Sequence, residues 1–174
     1  GYFNRDQNRK EVLALADELG IPILLGSPHL EFSSSGEEMA YNSAYLVHPR
    51  SSSQERYDKI RLVPFGEFVP WPRLFRPFGL ERLAYSLGVS DFYAGRSMQV
   101  FSLEPSARFS TLICFEDTFP SLARQAVDRG AEFLTVITND GWFKKSAAPY
   151  QHVLASQFRA IVYGVGVIRA ANTG

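Results

Sequence analysis

Residues 111–117 have the sequence TLICFED, and the predicted fold is arranged around this stretch. A short apolar run, typical of a buried strand, ends at Cys114, the only cysteine of the chain. Two acidic residues and a predicted helix follow directly. A strand that turns at once into a helix exposes the side chain at the turn beside free backbone N–H groups, which suits a nucleophile. A lone cysteine is more often a small buried hydrophobe, so Cys114 by itself leaves both interpretations open.

The composition of the 174 residues is that of a globular domain with a sizeable core. Lys plus Arg equals Asp plus Glu at 18 each, so no overall charge favours nucleic acid as a partner. No apolar run approaches the ~18 residues of a membrane-spanning helix. One cysteine excludes an internal disulfide, and three scattered histidines disfavour a structural zinc site.

Helix and strand patterns alternate along the chain and predict an α/β layered fold. Apolar residues recur at helical spacing up to Leu19, and Gly20 stands where a helix-ending glycine is common. The next two apolar runs predict strands, which we expect to form an antiparallel pair. In chain order the predicted elements are helix 6–19, strands 21–26, 41–47, 97–103 and 108–114, a helix starting near Pro120, strand 132–138, helix 149–163 and strand 164–170, with loops over 32–38 and 49–56.

A second polar cluster lies in residues 57–70, YDKIRLVPFGEFVP, where Lys59 and Glu67 stand among apolar residues. Two prolines and a glycine in this segment rule out a regular helix. Lysine and glutamate are rarely buried unless they are paired, so a stiff apolar loop that carries both indicates a site. A solvated loop with both charges pointing outward is the alternative, and the pattern alone does not decide between them.

Residues 71–87 interleave aromatic and basic side chains on a segment broken by two prolines and a glycine. Such a segment can lie in a membrane interface, where aromatic rings sit at the level of the lipid headgroups. A lid over a hydrophobic cleft and an ordinary surface excursion that packs back on the core are the alternatives. We expect an inserted arm at about 71–96 within a single domain, 1–174.

Polar and aromatic residues follow the strand predicted over 132–138. Asn139 and Trp142 lie just beyond its carboxyl end, where many α/β proteins bind ligands. The chain has no glycine pattern for binding phosphate, and its histidines lack ligand-like spacing, so we predict no metal and no cofactor. His152, on the next predicted helix, is interpreted as a hydrogen-bonded structural residue rather than a base.

These blocks, in this order, resemble the nitrilase (carbon–nitrogen hydrolase) superfamily, and more narrowly the catalytic domain of the bacterial apolipoprotein N-acyltransferases. The most specific match is 57–70, because soluble nitrilases generally lack its GEFVP continuation. The resemblance covers nearly the whole chain and implies an αββα sandwich with a Glu–Lys–Cys triad. The other matching segments are 113–116, 138–143, Pro149, 151–152, 159–160 and 169–174.

The resemblance also implies a role for each matching residue. Cys114 is expected to be the nucleophile and Lys59 the triad lysine. The accessory glutamates near the active site are expected to be Glu67 and Glu116, and the substrate-binding residues Phe115, Asn139 and Trp142.

The first member of the triad, a glutamate usually preceded by proline, has no counterpart before Asp6. We therefore expect the chain to start after the general base and to be incomplete at both ends. We also expect it to lack the family's flanking membrane helices and final strands, and to be inactive or poorly folded alone.

The implied function is the transfer of a fatty acyl chain from a phospholipid, through a thioester on Cys114, to the N-terminal amino group of a lipid-modified apolipoprotein. The implied location is the bacterial inner membrane, with the catalytic domain on the periplasmic side. Two alternatives remain open. One is a soluble amidase or nitrilase that uses water as the acceptor. The other is a non-catalytic domain in which Cys114 belongs to the core and Lys59 to the surface.

Overall fold

The structure, a computed structural model, describes residues 2–4, 7–51, 54–71, 91–103, 105, 107–143 and 146–172, without the Trp142 side chain. Short 3-10 turns follow two of its strands, over Cys114–Thr118 and Asp140–Phe143. In chain order the helices and strands are α1 (Asn8–Leu19), β1 (Ile23–Phe32), β2 (Glu38–Val47), β3 (Gln54–Asp58), β4 (Phe101–Leu103), β5 (Ala107–Ile113), α2 (Pro120–Asp128), β6 (Phe133–Thr138), α3 (Ala148–Tyr163) and β7 (Gly166–Ala171).

The strands form two sheets. β1, β2 and β3 make an antiparallel sheet in that order, which confirms the predicted pairing of the first two strands. The second sheet has the order β4-β5-β6-β7, with β4 antiparallel to β5 and the other three strands parallel. Since β5, β6 and β7 run the same way, the residues that follow their carboxyl ends lie at one edge of this sheet.

The alternation of side chains along β2 explains the layers. Tyr45 and Val47 pack with Ala16 of α1 in one cluster, whereas Ala44 and Leu46 join the larger core formed with the second sheet. That core also contains apolar residues of α2, and α3 packs beside β7. The layers are therefore helix, sheet, sheet and helix, and the predicted αββα sandwich is confirmed.

Several predicted boundaries were wrong. The strand predicted over 97–103 begins only at Phe101, and the strand predicted over 41–47 begins already at Glu38. The first strand does not end at residue 26 but continues to Phe32, and Pro28 is accommodated because β1 lies at the edge of its sheet. The predicted loop 49–56 contains the start of β3. Its polar sequence is compatible with an edge strand because Arg56 forms ion pairs with Glu31 and Asp58.

Most of the predicted arm, residues 72–90, lies outside the described residues, so the arm stays a prediction. The chain beyond it returns to the first sheet, where the Tyr93 N–H donates to the Ala40 carbonyl and the Gly95 N–H to the Lys59 carbonyl. Within the described ranges, no helix is both long and apolar enough to cross a membrane.

Candidate active site

Cys114 lies directly after β5, at the first position of the 3-10 turn. Its φ is +53°, in the left-handed region that non-glycine residues seldom occupy. Such a conformation costs of order 1–3 kcal/mol and persists only where the surrounding structure holds it, most often at functional sites. The side chain is partly exposed and lines a cavity of about 480 Å³.

The cavity opens between the two sheets, at the shared carboxyl edge of β5, β6 and β7. One wall comes from residues 24–28 of β1, and the opposite wall from the ends of the three parallel strands. Gly26 brings the walls close together, since a Cβ there would lie 3.0 Å from Ile137 Cδ1. The apolar lining residues are Leu24, Leu25, Pro28, Ile113, Ile137, Ala170 and Ala171, and the polar ones include Asn42, Glu67, Thr138, Asn139 and Asn172.

Lys59 and Glu67 form an ion pair, whereas the sequence pattern alone did not decide between a buried pair and two solvated charges. The Lys59 side chain is 1% exposed, and its ammonium lies 2.9 and 2.7 Å from the two carboxylate oxygens of Glu67. Glu67 in turn lines the cavity that holds Cys114. The solvated-loop alternative for these two residues was wrong, since Lys59 is buried and paired with Glu67.

Glu67 accepts hydrogen bonds on both of its oxygens. Besides Lys59, its donors are the Asn42 side-chain amide at 2.7 Å and the Val63 N–H at 2.8 Å. The Asn42 carbonyl also accepts from the Lys59 N–H at 2.8 Å. Asn42 therefore holds both members of the pair, although its position inside β2 carried no signal of this in the sequence.

Glu116 lies behind Cys114 and does not line the cavity. It is 0% exposed and accepts from the Tyr57 hydroxyl and from the N–H groups of Ile60, Arg61 and Ile113, at 2.7–3.0 Å. Burial raises the pKa of the Glu116 carboxyl above its ordinary value, although its hydrogen bonds oppose the shift. We call these groups the Glu116 cluster. It ties the segment after Lys59 to the end of β5.

A second buried group lies on the other side of the turn. We call it the Asp117 cluster, and it consists of Asp117, Asp140, His152, Ser156 and Arg169. Arg169 reaches both carboxylates, at 3.3 Å and 2.6 Å, and the Ser156 hydroxyl donates to Asp117 at 2.6 Å. His152 lies between the carboxylates, 2.9 Å from Asp117 and 3.0 Å from Asp140.

The charges of the Asp117 cluster act on the histidine. Burial acts to lower the pKa of His152, but the neighbouring carboxylates, Asp117 first among them, outweigh it and raise the pKa above the ordinary value. The His152 Nε2 also lies 3.1 Å from the carbonyl oxygen of Cys114. The expectation that His152 is a hydrogen-bonded structural residue agrees with these contacts, but the sequence did not indicate what it would bind.

The predicted substrate-binding residues lie in different surroundings. Asn139 lines the cavity, where its side-chain oxygen accepts from the Gly141 N–H and the Asn172 amide. The Phe115 ring is 40% exposed and packs edge-on against Phe119, away from the cavity lining. The Trp142 side chain lies outside the described residues.

The sequence held a usable signal for Asp140 and Arg169, which lie within two of the recognised segments. Asp140 follows β6, and Arg169 lies in β7. Because the carboxyl ends of adjacent parallel strands lie at the same edge of a sheet, residues near the ends of β5, β6 and β7 are expected to be close together.

The sequence is similar to a protein-family model and to curated proteins. A family model described as carbon-nitrogen hydrolase matches residues 6–174. Among curated proteins, the apolipoprotein N-acyltransferase of Geobacter metallireducens is 42% identical over 177 residues, which cover 99% of this chain and 32% of that protein. The protein of the same name from Chlorobaculum tepidum is 41% identical over 147 residues, 82% of this chain and 27% of that protein. The chain thus spans less than a third of the length of these relatives.

Solved structures share the fold. An amidase of the nitrilase superfamily from Nesterenkonia has a TM-score of 0.60 and 22% identity, over 94% of this chain and 52% of that chain. At this identity the likeness concerns the fold alone.

Proposed function

Because this chain belongs to the carbon–nitrogen hydrolase family, we propose that it forms the catalytic part of an apolipoprotein N-acyltransferase. The reaction would move a fatty acyl chain from a phospholipid to the N-terminal amino group of a lipid-modified apolipoprotein, through a thioester on Cys114. The observation that carries the proposal is the identity of 41–42% to relatives of that name over most of the chain.

The thiolate of Cys114 attacks the ester carbonyl of the phospholipid and forms a tetrahedral oxyanion. The oxyanion collapses to the thioester as the C–O bond breaks, and the leaving lysophospholipid oxygen takes the proton that the general base removed from the thiol. The amine of the apolipoprotein then attacks the thioester, which yields the amide and returns the thiol. The partly exposed, strained cysteine at the rim of a cavity supports this role.

Lys59 supplies positive charge for the thiolate and the oxyanion. An ammonium has three N–H donors. Its recorded hydrogen bonds in the described part of the chain go to the two Glu67 oxygens, which leaves a donor for a substrate oxygen. The backbone N–H of Phe115 is the second proposed donor to the oxyanion, and Asn139 contacts the substrate from the cavity wall.

Neither nearby glutamate suits the general base. Glu67 already accepts hydrogen bonds from Lys59, Asn42 and Val63. Glu116 is buried, does not line the cavity, and has both carboxylate oxygens hydrogen-bonded to other groups. We assign Glu67 to positioning Lys59 and Glu116 to positioning the loops. The base is then the glutamate that the family carries ahead of this stretch.

The apolar lining of the cavity is suited to a fatty acyl chain. Phe65 and Trp71, on the loop that carries Glu67, are 57% and 73% exposed. Exposed aromatic side chains favour a membrane interface, where one end of the ring is apolar and the other hydrated. A location on the periplasmic face of the bacterial inner membrane, with the segment over 71–96 admitting lipid, belongs to the same proposal.

The test is mass spectrometry of the full-length protein after incubation with phosphatidylethanolamine in detergent micelles. We expect one acyl chain on Cys114, and its loss on addition of a lipid-modified peptide with a free amino terminus. Turnover of small amides without acylation by phospholipid would replace the proposal with an amidase. A Cys114 that neither ester nor amide modifies would leave a non-catalytic domain.

Lys59→Ala tests the proposed role of Lys59 as an oxyanion donor while leaving Cys114 in place. Removing one oxyanion donor typically costs about 10²–10³-fold in rate, and we expect a loss of that order in acylation of Cys114. Lys10→Ala, at an exposed position of α1, is the matched control and should acylate normally. Normal acylation by a folded Lys59→Ala protein would eliminate the assigned role.

A further inference from the structure

We infer that His152 is a positioning residue that holds the peptide unit between Cys114 and Phe115 in the orientation that thioester formation requires. The inference rests on the proposed function only in taking Cys114 as the acylated residue.

The contact itself is direct. His152 Nε2 lies 3.1 Å from the Cys114 carbonyl oxygen, within hydrogen-bonding geometry. The peptide bond is planar and trans, so the N–H of Phe115 points opposite to that carbonyl. A donor that fixes the carbonyl therefore fixes the direction of the N–H proposed to bind the oxyanion.

Cys114 has a particular need for such a donor. Its positive φ is costly for a side chain with a Cβ, so the conformation must be held by neighbouring contacts. The hydrogen bond from the Ile113 N–H to the Glu116 carboxylate holds the chain just before Cys114. His152 is the side chain recorded on the Cys114 carbonyl in the described part of the chain.

The partners of His152 keep a proton on Nε2. When the ring is cationic, both nitrogens carry a proton and Nδ1 donates to Asp140 at 3.0 Å. When the ring is neutral, Arg169 can donate to Nδ1 at 2.9 Å, whereas Nε2 faces two acceptors, the Cys114 carbonyl oxygen and Asp117 Oδ1, so we assign the proton to Nε2. The N–H toward Cys114 is thus present in both protonation states.

Asp117 does not take that proton away. Its Oδ1 lies 2.9 Å from Nε2 but receives no aligned hydrogen bond among the described residues. The aligned N–H bond goes to the Cys114 carbonyl, while the nearby Asp117 carboxylate favours the protonated ring. The His152 side chain is 6% exposed, so water competes little for this contact.

Two substitutions of similar polarity separate this contact from a general structural role. In His152→Gln, the side-chain amide can reach the Nε2 position and still donate to the Cys114 carbonyl. In His152→Asn, the shorter amide can reach only the Nδ1 position, so the bond to Asp140 is kept and the bond to Cys114 is lost. Both remove the ring charge, and Ser156→Ala is a control in the same cluster that does not contact Cys114.

Each full-length variant is measured in two reactions. The first is the burst of acylation of Cys114 by p-nitrophenyl butyrate, an activated ester that forms an oxyanion and does not depend on phospholipid recognition. The second is alkylation of Cys114 by iodoacetamide, which forms no oxyanion. Peptide mass spectrometry identifies the modified residue in each case, and circular dichroism checks the fold.

We expect His152→Asn to slow acylation by about 10²-fold, the effect of misplacing a reacting group by about 1 Å, with little change in alkylation. His152→Gln should recover most of the acylation rate, and Ser156→Ala should resemble the wild type in both reactions. Equal acylation by the Asn and Gln variants would overturn the inference, as would a parallel fall of both reactions in the Asn variant.

The two proposals fail in different ways. A wild-type protein that is acylated by the activated ester but not by phospholipid would contradict the proposed function and leave the His152 comparison intact. Unequal acylation by phospholipid together with equal acylation by p-nitrophenyl butyrate would contradict the role of His152 instead.

Discussion

Glu116 and Asp117 are consecutive carboxylates, both 0% exposed, that hold the Cys114 turn from opposite sides by different means. Glu116 is surrounded by neutral donors, namely the Tyr57 hydroxyl and backbone N–H groups. Asp117 has charged partners, Arg169 and His152. One carboxylate therefore ties together segments of backbone, and the other ties together side chains of α3 and β7.

The difference determines what each cluster controls. Neutral donors keep their protons over a wide pH range, and burial raises the pKa of the Tyr57 hydroxyl well above its ordinary value. The Glu116 cluster thus sets the distance between the Lys59 loop and Cys114 with donors that do not titrate. The Asp117 cluster contains a histidine and depends on its protonation.

The largest effect is expected from Glu116→Ala. It leaves the N–H groups of Ile60, Arg61 and Ile113 and the Tyr57 hydroxyl without this acceptor. Each of these groups that stays shielded from water costs about 1–3 kcal/mol. With partial relaxation we expect a loss of about 3–5 kcal/mol in the free energy of unfolding, measured by chemical denaturation. Glu18→Ala, on the exposed side of α1, should change stability little. A small loss in Glu116→Ala would mean that these donors find other partners.

Arg169→Gln tests the contribution of the ion pairs in the Asp117 cluster to stability. It removes the guanidinium from two buried carboxylates but leaves His152 as their cation, so we expect a loss of about 2–3 kcal/mol. Arg124→Gln is the matched control, because its pair with Asp128 is 73% and 65% exposed. Exposed pairs contribute less than about 1 kcal/mol. An Arg169→Gln protein as stable as the control would show that the charged cluster contributes nothing net.

A matched pair of hydroxyl deletions compares the two clusters directly. Tyr57→Phe removes one donor from Glu116, and Ser156→Ala removes one from Asp117. Hydrogen bonds to charged groups contribute about 1.5–3 kcal/mol, and we expect each deletion to cost about 1–2 kcal/mol because other donors remain. Both losses are measured by chemical denaturation at one pH. A Tyr57→Phe protein as stable as the wild type would contradict the assignment of this hydroxyl as a donor that stabilises the Glu116 cluster.

The smallest effect is the pH dependence of stability, and its sign differs between groups. The pKa of His152 is raised above 6.5, so its contribution is complete below pH 6.5 and is lost as the pH rises through the folded value. Burial acts to raise the pKa of the Asp140 carboxyl, but hydrogen bonds from His152, Arg169 and Thr138 outweigh this effect and lower the pKa below 3.8. The Asp140 contribution is complete above pH 3.8 and is lost on acidification.

These signs are checked by the denaturation midpoint as a function of pH. In the wild type we expect stability to fall above pH 6.5, and His152→Gln should fall less in that window. The Glu116 carboxyl has a pKa raised above 4.5, so its contribution falls as the pH rises through the folded value, opposite to Asp140. A wild-type profile that rises through the neutral range would contradict the assignment for His152.

Sequence periodicity and motif chemistry predicted much of this molecule. The alternation of helices and strands, the strand ending at Cys114 and the pairing of the first two strands follow from the spacing of apolar residues, because side-chain burial alternates with the geometry of the element. The αββα arrangement of the layers was implied by the family resemblance. The choice of Lys59, Glu67 and Cys114 rested on residue chemistry together with family resemblance. β3 was missed because its polar residues are satisfied by partners on β1 and within β3 itself.

Only the tertiary structure decided how the polar groups pair. Glu116 and Glu67 look alike in the sequence, yet one lies in the cavity wall and the other is sealed behind the turn. Asn42 and His152 acquire their roles from residues up to 38 positions away. Apolar burial is non-directional and leaves a periodic trace in the chain, whereas a hydrogen bond depends on two atoms meeting at one distance and angle. That meeting is set by the packing of the sheets. The sequence therefore predicted the layers and the candidate site residues, and the fold determined which groups hold those residues in place.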